Sequence, residues 1–389
     1  MSPIRLPEDV AACLDRLRRA GFAAYPVGGC VRDGLLGRPC SDWDICTAAP
    51  AGALRALFPA AEAAGDYGTV RMAARCGTIE ITPFRREGPY RDGRHPDYVS
   101  FEATLLDDLR RRDFTVNAMA LGEDGAVIDP FGGMEDLARR LVRCVGAAEE
   151  RFREDGLRLF RAARFSAQLD FEIEGKTLAA LGQCAFMAQH VSGERAGGEL
   201  EGALLSPAPG RLEPCLRLGL LGRWLDAGAD RVRLSGGEGL PMEGTVRWAW
   251  LCAALSRAGA LADPAAFLSA LGRSRETVSA CTGALSLLAR GAPSGGEAWR
   301  CAIVRYGRGA ASAAAALLGE RAALAAAAPE GTCLHAADLA LTGGALYRLG
   351  LRGAAIGRAQ RAMLQRVLER PEDNRADTLL AYLRGQGYI

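Results

Sequence analysis

The sequence predicts an α+β chain: a head of mixed β-sheet with helices packed on it, followed by a long all-helical region. Two observations carry this. Over the first 140 residues short β-like runs alternate with helical ones; from about Glu149 onward the β signal nearly disappears while helical periodicity persists. The length of 389 residues allows two or more packed units rather than one small domain.

The elements follow in order. Val10, Leu14 and Leu17 sit at helical spacing, and Gly21 ends that segment. Residues 22–27 read as a strand, Gly28-Gly29 as a turn, 31–36 as a short helix and 42–46 as a second strand. Residues 69–73 and 78–84 are further strands, joined through Arg75-Cys76-Gly77 as a hairpin. Helical periodicity covers 149–169, 198–205, 211–225, 246–258, 265–271, 310–324, 354–368 and 375–385. Weak linkers fall at 206–210, 236–241 and 291–296.

Charge first argues against a nucleic-acid partner, since 48 basic and 46 acidic residues leave a net +2. Its distribution reverses that. Residues 1–150 hold 19 basic and 23 acidic residues, a net of −4, and residues 251–389 hold 16 and 10, a net of +6. Arg352, Arg358, Arg361 and Arg366 recur near helical spacing in the basic part, where a phosphate backbone could lie. Twelve cysteines without a CxxC pair point to a reducing compartment, and three histidines argue against zinc. The start, MSPIRLPEDV, lacks the apolar run of a signal peptide. The most apolar tract, 310–328, is broken by Glu320 and Arg321, too short for a membrane span. A soluble, cytoplasmic protein with no membrane partner is expected.

Three constellations carry chemistry. In the first, Gly28 and Gly29 follow a strand, so that backbone can approach a triphosphate closely, and Arg32 can grip its oxygens. Asp42 and Asp44, at i and i+2 of a strand, project to one face. Two such carboxylates repel unless a cation lies between them, and Mg²⁺ prefers a few carboxylates with substrate phosphates. Two ions could activate an attacking hydroxyl and neutralise the leaving pyrophosphate. Glu80, on the neighbouring strand, is either a third metal carboxylate or the polar face of that strand.

In the second, Arg110-Arg111-Arg112 runs into Asp113, Phe114 and Asn117, read as three arginines feeding a helix capped by Asp113. Arg112 would then meet the triphosphate, and Asp113 or Asn117 the sugar hydroxyls. In the third, Asp155, Arg158, Arg161 and Arg164 recur every three residues along one helix. An Asp accepting from an exocyclic amine beside an Arg donating to a ring acceptor suits both cytosine and adenine. Guanine and uracil offer mismatched groups, each costing about 1–3 kcal/mol when left buried and unpaired.

Gly28-Gly-Cys-Val-Arg-Asp33, Asp42-Trp-Asp44, Arg111-Arg-Asp-Phe-Thr-Val-Asn117, Asp129-Pro-Phe-Gly-Gly133 and Glu154-Asp-Gly-Leu-Arg158-Leu-Phe-Arg161 stand in that order over residues 28–164. Together they resemble the class II tRNA nucleotidyltransferases and their relatives, the bacterial poly(A) polymerases. The resemblance implies a nucleotidyltransferase-type head (1–140), a helical neck with the base-reading motif (141–205), a body (206–290) and a tRNA-binding tail (291–389). It implies template-independent addition of C, C and A to the tRNA 3′ end from CTP and ATP with Mg²⁺, the alternative being an A-adding enzyme or a poly(A) polymerase. Asp42 and Asp44 would bind metal. Gly28, Gly29, Arg32 and Arg112 would bind the nucleotide, Asp155 and Arg158 would read its base, and Arg161 and Arg164 would support the pocket.

The chain departs from the family pattern at Gly156, where proline is frequent, and at Arg352-Gly-Ala-Ala355, where a Pro-Gly-Pro-like turn is common. No His is followed by Asp, so an appended phosphohydrolase activity is not expected, and the chain ends at Tyr388-Ile389 without an extended basic region. Residues 87–97 read as a full-length loop, which favours CCA or A addition over CC addition. Two other classes compete: a non-catalytic RNA-binding relative, opposed by the intact Asp42 and Asp44, and a transferase acting on a small molecule or protein, opposed by the long helical region.

Overall fold

The first element, α1 (Glu8–Arg19), buries Val10, Cys13, Leu14 and Leu17 along one face. Acidic Glu8 and Asp9 in its first turn and arginines in its last suit the helix dipole, and Gly21 at φ +84° turns the chain into the sheet. That sheet holds β1 (Ala24–Pro26), β2 (Asp42–Thr47), β3 (Glu62–Ala64), β4 (Thr69–Ala74) and β5 (Gly77–Pro83) in the order β1-β2-β5-β4-β3. Only β2 and β5 run parallel, giving the mixed sheet the sequence predicts. Their register sets Asp42 beside Thr78 and Asp44 beside Glu80. The alternate positions Ile45, Ile79 and Ile81 are fully buried beneath. Gly77, at φ +117°, passes so close to the Ser41 backbone that a Cβ would collide with it, and Thr78 N–H donates to the Ser41 carbonyl at 2.7 Å.

Short helices α2 (Gly29–Leu35) and α3 (Ala51–Leu57) follow β1 and β2. The structure describes residues 4–65, 67–88, 90 and 97–389, in two compact units, Met1–Leu234 and Ser235–Ile389. It is a computed structural model. Most of the expected 87–97 loop lies outside the described residues; β6 (Arg86–Glu87) and β7 (Val99–Ser100) pair on either side of it.

Beyond the sheet, α4 (Leu105–Arg110) starts in a capping box between Thr104 and Asp107. A 3₁₀ turn (Thr115–Asn117), the pair β8 (Ala120–Leu121) and β9 (Val127–Ile128), and α5 (Gly133–Arg139) complete the head side. Then β10 (Leu141–Val142) pairs with β11 (Glu172–Ile173) around α6 (Ala148–Glu154) and α7 (Leu157–Leu169), followed by α8 (Gly175–Cys184), α9 (Gly193–Leu204) and α10 (Glu213–Arg217).

The second unit holds α11 (Gly244–Arg257), α12 (Pro264–Ala270), α13 (Arg275–Ala289), α14 (Gly295–Tyr306), α15 (Arg308–Leu318), α16 (Arg321–Ala327), α17 (Gly343–Arg348), α18 (Ala354–Glu369) and α19 (Ala376–Gly385). Small residues let α13 and α15 approach: a Cβ on Gly283 would stand 2.8 Å from that of Ala310. Leu346, Ala359, Met363, Val367, Leu379 and Leu383 form a second cluster across α17 to α19. Buried Arg300 donates to the carbonyls of Leu368 and Ala327, satisfying the ends of α18 and α16.

Four expectations need correction. The expected helix over 149–169 breaks at Asp155-Gly156: Asp155 is extended (φ −142°, ψ 111°), its Oδ1 accepts from the Leu157 N–H at 2.9 Å to start the next helix, and Gly156 leaves room for the Met187 carbonyl, 2.5 Å from where a Cβ would stand. The expected helix over 310–324 is two, turning at Gly319 (φ +73°). Over 211–225 the α-helix spans only Glu213–Arg217, entered through a 3₁₀ turn at Pro209–Leu212. Asp113 caps no α-helix; Arg110 ends α4, so the arginine run leaves a helix rather than entering one. Among the described residues no helix is long and apolar enough to cross a membrane.

Candidate active site

Strand β2 carries Asp42 at its exposed start and Asp44 two residues on, half-buried between core residues Trp43 and Ile45. Burial pushes the Asp44 carboxyl above the usual range, and the negative charges of Glu80 and Asp42 push the same way, against the pull of Arg112. Gly28 stands beside this carboxylate at φ +78°. A Cβ there would lie 2.8 Å from Arg112 Nη1 and 3.5 Å from Asp44 Oδ2, so the missing side chain makes room for the guanidinium.

Arg112 is aimed from behind by Asp108, a fully buried carboxylate on α4 that accepts from Arg112 Nη2 at 3.1 Å and Arg111 Nη2 at 2.7 Å. Burial alone would raise Asp108, but the two guanidinium groups hold it below the ordinary range. Arg112 Nε, itself buried, has no hydrogen-bond partner among the described residues.

Arg32, on α2, is 5% exposed and donates through Nε and Nη2 to Asp33 at 3.0 and 2.8 Å and through Nη1 to Asn117 Oδ1 at 2.6 Å. Asn117 Nδ2 donates to Asp113 Oδ1 at 3.3 Å, and Asp113 Oδ2 accepts from Arg161 Nε at 2.6 Å. Burial opposes ionisation of Asp113, yet Arg161 draws its pKa down to about 2. Arg164 Nε donates to Glu199 Oε2 at 2.5 Å, with Arg161 Nη1 3.9 Å from the same carboxylate.

Asp155 sits in the break between α6 and α7, where its Oδ1 accepts from the Leu157 N–H at 2.9 Å and its Oδ2 lies 3.5 Å from Arg195 Nη2. Arg158, on the first turn of α7, is 8% exposed. Its Nη1 pairs with Glu154 and the Arg151 carbonyl, and its Nη2 donates to the Arg111 carbonyl at 3.2 Å.

One cavity of about 730 Å³ gathers Gly28, Gly29, Arg32, Asp42, Asp44, Arg112, Asp113, Asn117, Asp155, Arg158, Arg161 and Arg164 on its wall. Glu80 is not among its lining residues and accepts from Arg71 Nε at 2.6 Å instead. Among the described residues no three His, Cys, Asp or Glu side chains cluster to hold a metal; Asp42 and Asp44 stand as a pair of carboxylates on β2. Sequence reasoning gave no role to Asp108, to Glu154 within its Glu154–Arg161 motif, or to Phe165. The first two were signalled by i, i+3 and i, i+4 spacing to arginine; Phe165 reads as one more apolar helix position.

A family model described as the Poly A polymerase head domain matches residues 24–143. Curated CCA-adding enzymes are similar in sequence: that of Geobacillus thermodenitrificans (strain NG80-2) is 43% identical over 239 residues, 61% of this chain, and that of Geobacillus stearothermophilus is 41% identical over 247 residues, 63% of this chain. These alignments span 58% and 60% of the relatives' own lengths. The crystal structure of the Bacillus stearothermophilus CCA-adding enzyme in complex with CTP superposes with a TM-score of 0.80 at 31% identity, covering 100% of this chain and 98% of that one. The Thermotoga maritima CCA-adding enzyme complexed with tRNA shares the fold, with a TM-score of 0.66 at 20% identity over 97% of both chains.

Proposed function

The chain belongs to the CCA-adding enzyme family of nucleotidyltransferases, and on that premise we propose that it adds C, C and A, without a template, to the 3′ end of tRNA from CTP and ATP, releasing pyrophosphate. The observation that carries the reading is the single cavity in which Asp42 and Asp44 meet Arg32, Arg112, Arg158, Arg161 and Arg164. A triphosphate needs cationic walls and a transfer reaction needs paired carboxylates; this cavity has both.

Asp42 and Asp44 would hold Mg²⁺. The donor set fits, because a cation relieves a half-buried carboxylate burdened by two negative neighbours. When bound, two such ions favour attack by the terminal tRNA hydroxyl and offset charge on the departing pyrophosphate. The chain's own groups do the rest. Gly28 and Gly29 let backbone approach the phosphates, Arg32 and Arg112 grip them, and Asp113 or Asn117 meets the ribose hydroxyls. Asp155 accepts from the exocyclic amine of cytosine or adenine while Arg158 donates to the ring acceptor, with Arg161 and Arg164 supporting the pocket. Residues 1–140 then act as catalytic head, 141–205 as neck, 206–290 as body and 291–389 as the tail that grips tRNA. Twelve free thiols suit a cytoplasmic enzyme.

The test is to incubate the chain with tRNAs lacking CCA, CA or A, supplying CTP and ATP alone and together. CCA addition extends each to the same end and no further. Extension by A alone, or a run of A, would replace this reading with an A-adding enzyme or a poly(A) polymerase.

A further inference from the structure

Three of the cavity's arginines share one aromatic ring. The guanidinium carbons of Arg164, Arg161 and Arg32 lie 4.5, 5.1 and 5.3 Å from the centroid of Phe165, all within cation–π range. Arg161 and Arg164 come from the same helix, four residues and one residue before Phe165, whereas Arg32 comes from α2. The ring is 5% exposed and lines the cavity wall. Fully buried Phe114 packs edge-on against it, centroids 5.8 Å apart at 78°, which fixes its plane.

Three like charges this close repel. Polar partners hold each of them as well: Asp33 and Asn117 take all three nitrogens of Arg32, Asp113 accepts from Arg161 with Glu199 3.9 Å away, and Glu199 and Gln168 accept from Arg164. An aromatic face, negative at its centre, holds all three without occupying a donor. An aliphatic side chain of similar size would fill the space and supply no such attraction.

We propose that Phe165 is a positioning residue for the nucleoside triphosphate: its ring gathers Arg32, Arg161 and Arg164 so that their free N–H groups converge on the phosphates. This rests on the function proposed above and deepens it. The ring touches no reacting atom; it acts through the arginines.

The test replaces Phe165 in the full chain with Tyr, with Leu, and, by stop-codon suppression, with 3,4,5-trifluorophenylalanine, which keeps the ring's shape but withdraws the negative charge from its face. The trifluoro and Leu variants are expected to raise KM for both CTP and ATP about tenfold, the order of lost cation–π contact, with kcat little changed. Phe165→Tyr restores the wild-type KM. Calorimetric binding of CTP and of inorganic tripolyphosphate is expected to weaken in the same order. These binding readouts need no transfer to tRNA, so a chain that adds no nucleotide would refute the proposed function and leave the ring still on trial. Wild-type KM and wild-type binding of both probes in the trifluoro variant would overturn the proposal, whatever the Leu variant does.

Discussion

Asp113 Oδ2 accepts a 2.6 Å hydrogen bond from Arg161 Nε, tying the segment after α4 to the middle of α7. Asp113 also receives the Phe114 N–H at 2.8 Å and Asn117 Nδ2 at 3.3 Å, so one carboxylate organises both sides of the cavity.

Because Arg161 holds the pKa of Asp113 at about 2, below the ordinary 3.8, the carboxylate stabilises the fold above about pH 4, and that stability is lost as pH falls through about 2. Asp113→Asn is expected to cost about 2 kcal/mol at neutral pH, with the gap to wild type closing between about pH 4 and pH 2. Urea unfolding at several pH values measures this. A gap that stays constant into acid would contradict the pairing.

Asp108 has no exposed surface and two guanidinium partners. Asp108→Ala leaves Arg111 and Arg112 without their shared buried counter-ion, at an expected cost of about 3–5 kcal/mol in unfolding free energy. A melt within about 1 kcal/mol of wild type would show that the two arginines find other partners.

Gly28→Ala forces a side chain into a left-handed backbone and against Arg112 Nη1. The backbone strain alone is about 1–2 kcal/mol, and the displaced guanidinium should raise KM for both nucleotides. Unchanged KM values in steady-state kinetics would mean that Arg112 does not serve the triphosphate from this position.

The mixed sheet and the placing of Asp42 and Asp44 were legible because strand alternation and the i, i+2 rule are local. So was the gathering of arginines, once Arg158, Arg161 and Arg164 fell on one helix line. The break at Asp155-Gly156 was not. There Asp155 is extended and Gly156 lies close under the Met187 carbonyl, more than thirty residues on, and no periodicity records such a neighbour. Asp113 was misread as a cap because three arginines look alike at either end of a helix, and only Thr104 with Asp107 fixes where α4 begins. Phe165 was invisible for a related reason: its three guanidinium partners meet it only after α2 and α7 pack.

Arg158 lines the cavity while Glu154 and the Arg151 carbonyl hold its Nη1. Arg158→Ala is expected to relax discrimination against UTP and GTP by about 10- to 100-fold while changing triphosphate affinity much less. Selectivity for C and A equal to wild type would remove Arg158 from base reading.

On the proposed function, the carboxylates of β2 carry nucleotide transfer to tRNA. The most direct measurement is the product length from tRNA lacking CCA, incubated with CTP and ATP, for the wild-type chain and for Asp44→Ala. The wild type is expected to add three nucleotides and stop, and Asp44→Ala to add none while still binding tRNA. Extension of the tRNA by Asp44→Ala would contradict it.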